Sequence, residues 1–325
     1  MRQRGWGRGI FFAFGLSAAL MAQAAPAQER LVLASGAVQG GYFLTGGAVC
    51  AQINKQTTQH KLYCAVAPSG GSVENLELLR ASQVDLALVQ SDWQYLAFEG
   101  TAKRFAGAEK VANMRAMAAL SSMPLALLAR EDAAITTLSD LRGKRVDIGR
   151  AGTARRLVMD DLLAALEWDL GAFELASEFP QQEALDVLCA GQLAAVPIVD
   201  ISPSSQVRAA LRRCKLRIVP IDAAVVAKVV AAKPYYSAIK IPSSTYPGTK
   251  TDIASFGQRI VLVGRFKVAD TDAYNFVKAL VENLPALAKI HPSFKGLTPQ
   301  SVAKGGIAIP LHDGAARYYR EAGLR

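Results

Sequence analysis

Short apolar runs alternate with amphipathic stretches along most of the chain. Arg30–Ser35 (RLVLAS), Asp85–Gln90 (DLALVQ) and Arg145–Gly149 (RVDIG) have the length and composition of strands. Val73–Ala81 and Thr153–Trp168 place apolar residues at the three- and four-residue spacing of amphipathic helices. This strand–helix order predicts an α/β protein built from βαβ units, with parallel sheets covered by helices.

The same alternation predicts the remaining elements. The other predicted strands are His60–Ala67, Phe173–Phe179, Leu193–Val199, Leu216–Ile221 and Ile260–Val263. The other predicted helices are Phe43–Lys55, Asp92–Phe98, Gln181–Cys189, Ser204–Cys214 and Thr271–Ile290. An apolar run at Ala116–Ala129, broken by two serines and a proline, marks the end of the first series. Tyr235–Phe256, rich in Pro, Ser, Thr and Gly, is expected to be a long surface segment.

The two series of units predict two lobes. A chain of 325 residues fits two lobes of ordinary size. The last segment cannot form a third domain alone, so we expect it to return to the first lobe. Lobe I is therefore predicted to comprise residues 28–124 and 263–325, and lobe II residues 125–262.

The N-terminus predicts export. Three arginines within the first eight residues precede an apolar run, Ile10–Met21, that is too short for a comfortable membrane span. Small residues at Ala22–Ala24 and Ala25–Ala27 fit cleavage near residue 24 or 27. Residues 1–24 are therefore predicted to be a cleaved signal peptide, and the protein is expected to be periplasmic.

Charge and composition narrow the partners. Hydrophobic residues make up 51% of the chain and charged residues 20%, so a sizeable core is expected. Cleavage after Ala24 would remove three arginines and lower the formal charge from +10 to +7. The remaining basic residues are scattered and not interleaved with aromatics, which disfavours nucleic-acid binding. A mild positive balance fits a small anionic ligand better.

Four cysteines, Cys50, Cys64, Cys189 and Cys214, allow three pairings. Export permits disulfides, and the spacing favours Cys50–Cys64 and Cys189–Cys214, because each pair lies within one local unit of helices and strands. Zinc is the alternative, but the chain has no Cys-x-x-Cys and no histidine at ligand spacing. No metal and no cofactor are expected.

Small residues recur where a predicted strand leads into a helix. Such loops stand at Gly40-Gly41-Tyr42, within PSGGSVENLELL (residues 68–79), at Gln90-Ser91, and from Gly149 to Thr153. Ligands of open α/β sheets bind outside the carboxyl ends of the strands, and N–H groups at helix N-termini favour an anion. Ser72 is predicted to be an N-cap, and the glycines before it would let a ligand approach the backbone.

These loops supply the candidate ligand-binding residues, and an ordinary structural role competes for each of them. The candidates are Gly40, Gly41, Tyr42, Ser69, Gly70, Gly71, Ser72, Gln90, Ser91, Gly152, Thr153, Ala154 and Arg155. Gly and Ser are common in βα turns, Tyr42 could simply be buried, and Arg150, Arg155 and Arg156 could form a solvated face. Arg155 is the preferred cation, because a positive charge in a first helical turn is unfavourable unless an anion compensates it.

Signatures of catalysis are missing from the sequence. The three histidines accompany no G-x-S-x-G elbow, and neither a P-loop nor a G-x-G-x-x-G fingerprint occurs. Two S-x-x-K matches, at Ser237 and Ser301, lack the accompanying motifs, and paired cysteines would leave no free thiol. No catalytic residue is predicted, and the protein is not expected to be an enzyme.

An ordered set of motifs resembles a known family. The motifs are Gly40–Phe43 followed by Gly46, SGGSVENLELLRASQVDLALVQSD at residues 69–92, Tyr246-Pro247-Gly248, and IPLHDGAARYYREAG at residues 309–323. Over nearly the whole mature chain the sequence resembles the extracytoplasmic solute receptors of tripartite ATP-independent periplasmic (TRAP) transporters, specifically their TAXI branch.

The resemblance implies a two-lobed periplasmic-binding-protein fold of type II, the Venus flytrap. It further implies capture of a small carboxylate, glutamate-like or dicarboxylic, by hinge closure, and its delivery to TRAP-type membrane permease subunits. Contacts would come from Tyr42, the 69–72 loop, Gln90-Ser91 and the loop opening the second-lobe helix. A monomer is expected. A sensor or scavenger of the same fold without a permease, or an exported enzyme on this scaffold, are the alternatives.

The sequence departs from the family pattern at three places. Leu44 stands where the family usually has proline, and Ala154 and Arg155 replace glycine and threonine in the second-lobe loop. VPIVDISP, at residues 196–203, replaces an aromatic-rich strand end. The wall that lobe II presents to a ligand is therefore atypical, and an inward-pointing Arg155 would favour a ligand with an extra carboxylate.

Overall fold

A computed structural model describes Met1, residues 29–38 and residues 40–325. The predicted signal peptide lies outside the described residues, apart from Met1. The strands are β1 (Glu29–Ala34), β2 (Leu62–Ala67), β3 (Leu86–Gln90), β4 (Met114–Arg130), β5 (Arg145–Asp147), β6 (Leu175–Ser177), β7 (Ala195–Val199), β8 (Leu216–Val219), β9 (Ser237–Ile241) and β10 (Ile253–Arg265).

Helices follow most of the strands. The α-helices are α1 (Gly41–Asn54), α2 (Thr57–His60), α3 (Ser72–Arg80), α4 (Ser91–Glu99), α5 (Ala154–Leu166), α6 (Gln181–Cys189), α7 (Ser205–Arg213), α8 (Ala223–Ala232), α9 (Asp270–Glu282), α10 (Leu284–Ile290), α11 (Pro299–Lys304) and α12 (Asp313–Glu321). Short 3-10 helices cover Lys103–Phe105, Gly107–Glu109, Glu131–Ala133, Leu138–Leu141, Leu170–Ala172 and Pro292–Phe294.

The sheet is mixed. Its strand order is β2-β1-β3-β10-β4-β7-β5-β6, with β8 beside β4 and β9 beside β10. The pairs β1–β2, β1–β3, β5–β6 and β5–β7 are parallel, as the βαβ pattern predicts. Every pair that involves β4 or β10 is antiparallel. The α/β class is confirmed, and the expected parallel pairing holds for part of the sheet but not for β4 and β10.

The apolar run taken as a boundary is one long strand. β4 continues for 17 residues through Ser121, Ser122 and Pro124 and pairs with β10 over most of that length. The serines fit because the hydroxyl of Ser121 bonds to that of Ser293 at 2.9 Å. Pro124 lies opposite Gly257, where the missing side chain lets the two backbones approach closely.

Two further predictions need correction. The segment Tyr235–Phe256 contains β9 and the start of β10, and Tyr235 and Tyr236 are buried. The ring of Tyr236 meets that of Phe256 edge-on, with 5.2 Å between centroids, so this segment belongs to a core. The predicted helix Thr271–Ile290 is two helices, α9 and α10, and a proline stands at the start of the second.

The buried apolar side chains form separate clusters in the two predicted lobes. Two clusters draw on residues 31–123 and 260–324, with Ile201 as the exception. Two others draw on residues 125–256. The lobe bounds 28–124 with 263–325, and 125–262, stay a prediction that this division supports. The strands β4 and β10 contribute to both sets and connect them.

Both predicted disulfides are present. Cys50–Cys64 joins α1 to β2 with 4.9 Å between Cα atoms, and Cys189–Cys214 joins the ends of α6 and α7 with 5.6 Å. No free cysteine occurs among the described residues. Each bond closes a short local loop, of 14 and 25 residues respectively, within one lobe.

Removing the first disulfide is expected to destabilise the protein. Replacing Cys50 and Cys64 together by alanine should lower the free energy of unfolding by about 3 kcal/mol, because the unfolded chain regains the entropy of a loop of roughly 15 residues. Urea unfolding of the oxidised protein measures this. Under reducing conditions the difference in the free energy of unfolding between the double variant and the parent should disappear. If the unfolding midpoint of the parent is the same with and without reductant, the disulfide does not stabilise the protein as predicted.

Candidate functional site

A cavity of about 300 Å³ lies at the carboxyl ends of β1, β2 and β3. Its lining comprises Gly36, Ala37, Gly40, Gly41, Tyr42, Gly70, Gly71, Ser72, Gln90 and Met123. Seven of these are predicted ligand-binding residues, brought together from three separate loops. The cavity thus occupies the position at which ligands of open α/β sheets bind.

Three helices begin at this cavity. Their N-caps are Gly40 for α1, Gly71 for α3 and Gln90 for α4, and none of these makes a side-chain cap hydrogen bond. A helix leaves its first N–H groups without intrahelical acceptors, and its N-terminus carries partial positive charge. At α4 the first turn carries the Asp92 carboxylate, which accepts from the Trp93 N–H, so the ends of α1 and α3 are the two that favour an anion in this cavity.

Ser72 differs from its predicted role. Gly71, with φ of 103°, is the N-cap of α3, and Ser72 is the first helical residue, so the N-cap prediction is wrong. A serine cannot adopt that backbone conformation as readily as glycine. The Ser72 hydroxyl accepts a hydrogen bond from the Gln90 N–H at 3.0 Å and shares one with the Tyr42 hydroxyl at 3.1 Å. Ser72 therefore connects the three loops that line the cavity.

The glycine pair before Ser72 uses its own N–H groups internally. The Gly70 N–H donates to Oε2 of Glu74 at 2.7 Å, and the Gly71 N–H donates to Oγ of Ser69 at 3.1 Å. Ser69 in turn donates to Oδ1 of the fully buried Asn75 at 2.5 Å. The loop is thus held rigid, and its donors toward a ligand are the first-turn N–H groups of α3. Glu74 places a carboxylate beside the cavity.

Tyr42 contributes an uncharged donor or acceptor. Burial raises the pKa of its phenol well above the ordinary value, and the hydrogen bond to Ser72 partly opposes that shift. Tyr42 is therefore a neutral phenol under all physiological conditions. Its ring packs against the apolar cluster of lobe I.

Ser91 lies outside the cavity lining. It is completely buried, and its hydroxyl donates to the Tyr235 carbonyl at 2.6 Å and accepts from the Arg259 N–H at 3.1 Å. These bonds join the start of α4 to β10 and to the segment before β9. The structure therefore gives Ser91 a contact between lobes, while its neighbour Gln90 lines the cavity.

The second-lobe candidates Gly152, Thr153, Ala154 and Arg155 are likewise not part of that lining. Thr153 is the N-cap of α5, where its hydroxyl accepts from the Arg156 N–H and donates to the Arg150 carbonyl. Gly152 has φ of 80°, which supports the tight turn into the helix. The loop is well formed, but the structure does not bring it together with the first-lobe residues.

Arg155 is paired inside lobe II. Its side chain is 4% exposed; Nη1 lies 2.9 Å from Oδ1 of the fully buried Asp147, and Nη2 donates to the Phe179 carbonyl. Asp147 also accepts from the N–H groups of Gly149 and Phe179. Burial lowers the pKa of the Arg155 guanidinium, and the charge of Asp147 opposes that shift. The preferred cation of the sequence therefore holds the loop in place.

The other two arginines of this loop differ from each other. Arg156 pairs with Asp160 and Glu178 on the surface. Arg150 is exposed and has no ion pair with the described residues. Of the three candidate cations, only Arg150 has no ion pair with the described residues, and it does not line the cavity.

The contact between the lobes beside the cavity is apolar. A Cβ at Gly41 would lie 2.8 Å from Cδ1 of Ile201, which belongs to the atypical VPIVDISP segment. The next residue, Ser202, donates its N–H to the Ser122 carbonyl on β4 at 3.0 Å. Glycine at position 41 thus permits the close approach of Ile201 to the start of α1.

Sequence reasoning missed four residues at the site: Gly36, Ala37, Met123 and Ile201. Gly36 is the second residue after β1, so the rule about carboxyl ends of strands could have found it. A Cβ there would lie 2.7 Å from Cβ of Tyr42, which explains the glycine. Met123 gave no signal, because it stands in an apolar run that resembles any core strand.

A buried carboxylate lies where the lobes meet. Asp92 is 2% exposed; its Oδ1 accepts from the Trp93 N–H at 2.8 Å and its Oδ2 from Nε2 of Gln258 at 2.9 Å. Burial raises the pKa of Asp92 to about 6, and the negative charge of Asp161 adds to the shift. Oε1 of Gln258 is buried and has no hydrogen-bond donor.

Asp92→Asn is expected to stabilise the protein in a pH-dependent way. An acid whose pKa is raised from 3.8 to about 6 on folding contributes stability that is complete below pH 3.8 and lost as the pH rises through 6. The variant should therefore match the parent near pH 4 and exceed it by up to about 3 kcal/mol at pH 8. A reoriented Gln258 can accept from the new amide through its Oε1, so the hydrogen bond between the two side chains is kept. Denaturant unfolding at both pH values measures this; an unchanged difference across that range would contradict it.

Arg155→Ala is expected to act on stability. Removing one partner leaves the Asp147 carboxylate buried and uncompensated, which should cost about 3–5 kcal/mol. Arg150→Ala is the matched control, expected to change the free energy of unfolding by no more than about 0.5 kcal/mol. If Arg155→Ala unfolds like the parent and loses only ligand binding, the arginine contacts the ligand, as the sequence suggested.

Among the described residues, no three His, Cys, Asp or Glu residues are grouped so that they could hold a metal ion. None of the helices in residues 29–38 and 40–325 is long and apolar enough to cross a membrane.

Solved structures with the same architecture are solute-binding proteins. A TctC solute binding protein from Polaromonas aligns with a TM-score of 0.55 at 16% identity, covering 92% of this chain and 99% of that one. The probable amino-acid ABC transporter extracellular-binding protein YtmK from Bacillus subtilis aligns at 0.51 and 13%, covering 82% and 98%. The periplasmic aliphatic sulphonate binding protein SsuA from Escherichia coli aligns at 0.50 and 13%, covering 81% and 78%.

At these identities the alignments show the fold, which is that of the periplasmic binding proteins. The sequence itself supplies the family. A model of the NMT1-like family matches residues 33–323, which is nearly all of the chain that follows the predicted signal peptide. The chain therefore belongs to the NMT1-like family.

Proposed function

We propose that this protein is a periplasmic receptor that captures a small organic anion, foremost a carboxylate, and delivers it to a membrane permease. One observation carries the proposal: the N-termini of α1 and α3, neither with a side-chain cap, meet at one small cavity. Membership of the NMT1-like family and the periplasmic-binding-protein fold support it. The similar proteins from Escherichia coli and Bacillus subtilis are named for a sulphonate and an amino acid, both of which carry an anionic group.

Capture would proceed by hinge closure. The anion first meets the N–H groups of α1 and α3 in lobe I, where Tyr42 and Ser72 are already fixed by hydrogen bonds. Ile201 already lies beside Gly41, and closure about β4 and β10 would bring the rest of lobe II over the cavity. The closed form is the one that a permease would recognise. No covalent step is needed, and we propose a binding protein rather than an enzyme.

The finer assignments rest on the sequence resemblance. We propose that the chain is a TAXI-type receptor, that it acts as a monomer, and that its permease is of the TRAP type. Export through a cleaved signal peptide would place it in the periplasm. A sensor or scavenger would bind the same ligand but would not deliver it to a permease. Ligand uptake that requires both this protein and the permease would therefore distinguish a transport receptor from that alternative.

Ligand binding to the folded protein should raise its unfolding temperature by mass action. The mature protein, unfolded and refolded to strip endogenous ligand, is heated with mono- and dicarboxylates, amino acids and alkanesulfonates, and with neutral amides of equal size. At 100 times Kd, an anion should add about 2.7 kcal/mol to the free energy of unfolding. A shift with the amides but not with the acids would exclude the anion site.

Glu74→Gln tests whether the anion binds at the α3 terminus. The substitution keeps an oxygen that can accept from the Gly70 N–H but removes a negative charge beside the cavity. Anion affinity should rise by about 2- to 5-fold at low ionic strength, and the gain should shrink in 1 M salt. Glu77→Gln, one turn away and paired with Arg104, is the control and should leave the affinity unchanged.

A further inference from the structure

We infer that the ligand carries one anionic group on an apolar aliphatic body, and that the site discriminates against a second carboxylate. The inference rests on the proposed function and narrows it. It comes from the contrast between the two ends of the site. The polar end offers neutral N–H donors, and the other end is apolar.

The polar end suits a single charge. All residues that line the cavity are uncharged, and the nearest ionic group that bonds to the lining is the Glu74 carboxylate. The helix N-termini together supply partial positive charge at one place. A second carboxylate would have to leave water without a cation to meet it, which is costly.

None of the three arginines of the second-lobe loop supplies a cation at this cavity: Arg150 is exposed but does not line it. Arg155 is buried against Asp147, and Arg156 is paired with Asp160 and Glu178. A guanidinium already engaged by a buried carboxylate cannot turn to a ligand without leaving that carboxylate unpaired. The lobe II residue that does contact the start of α1 is Ile201, an aliphatic side chain.

Apolar residues line part of the cavity and also stand next to residues of its lining. Met123 and Ala37 line the cavity, and Cδ1 of Ile201 packs against Gly41. Leu44, one helical turn after Gly41, lies on the same face of α1 and is 48% exposed. Val38, next to Ala37, is 59% exposed. Apolar surface beside a cavity suits an aliphatic ligand body better than water.

The test compares acids of equal carbon number by isothermal titration calorimetry. The probes are acetate, butyrate and hexanoate, with succinate and adipate as the matched dicarboxylates, and hexanesulfonate as a second head group. Affinity should rise roughly 4-fold for each added methylene that is buried. Each dicarboxylate should bind at least about 10-fold more weakly than its monocarboxylate partner. Hexanesulfonate against hexanoate shows which head group the helix N-termini prefer.

The outcomes separate the two proposals. A dicarboxylate that binds as tightly as its matched monocarboxylate, or a series without dependence on chain length, overturns this inference and leaves the anion receptor intact. If none of the anions binds to the folded protein, the anion site fails, and this inference fails with it.

Leu44→Ser identifies the apolar surface. The variant should lower hexanoate affinity by about 3-fold or more and leave acetate affinity within 2-fold, because only the longer chain reaches this side chain. Ile290→Ser is the matched control, since Ile290 is 47% exposed at the end of α10, outside the cavity lining. Unfolding curves confirm that both variants are folded. Equal loss of hexanoate affinity in both variants would overturn the assignment of this surface.

Discussion

The two halves of the molecule are joined by one antiparallel strand pair, β4 with β10, and the geometry of the site depends on its register. The pair extends from Met114 opposite Arg265 to Pro124 opposite Gly257. A Cβ at Gly257 would lie 2.1 Å from the Met123 carbonyl, so this approach requires glycine. It sets Met123 in the cavity lining, while Gln258, its register partner, reaches Asp92. A change in the register would move both contacts together.

Within lobe I the site is fixed by buried hydrogen bonds between neutral groups. Asn75 donates to the carbonyls of Ser35 and Leu88, at 2.7 Å each, and so holds α3 against β1 and β3. Ser72 connects the loops after β1, β2 and β3 through Tyr42 and Gln90. Networks of this kind are costly to leave unsatisfied, so they restrict the loops to one arrangement. An anion then meets dipoles that are already oriented, and little ordering opposes its binding.

The sequence predicted those features that depend on interactions between residues close together in the chain. The βαβ units, the two short-range disulfides and seven residues of the cavity lining all follow from turn chemistry or spacing over a few residues. The long strand β4 did not follow, because its partner β10 lies more than a hundred residues away and its apolar run shows no alternation. The pairing of Arg155 did not follow either, for a related reason: its partner Asp147 is close in sequence, but only the path of the loop after β5 brings the two together.

The apolar contact at Ile201 links closure to selectivity. When the aliphatic side chain covers the start of α1, it removes water from the helix N-termini, and their interaction with a charge strengthens as the surroundings become less polar. The same removal of water penalises any second charge that has no partner. A buried arginine in that place would instead pair with a second carboxylate and hold the lobes together through it. Arg155 is instead paired with Asp147. Closure is therefore favoured by two contributions: the anion at the helix N-termini and the burial of the apolar part of the ligand. Both contributions are lost when the lobes open.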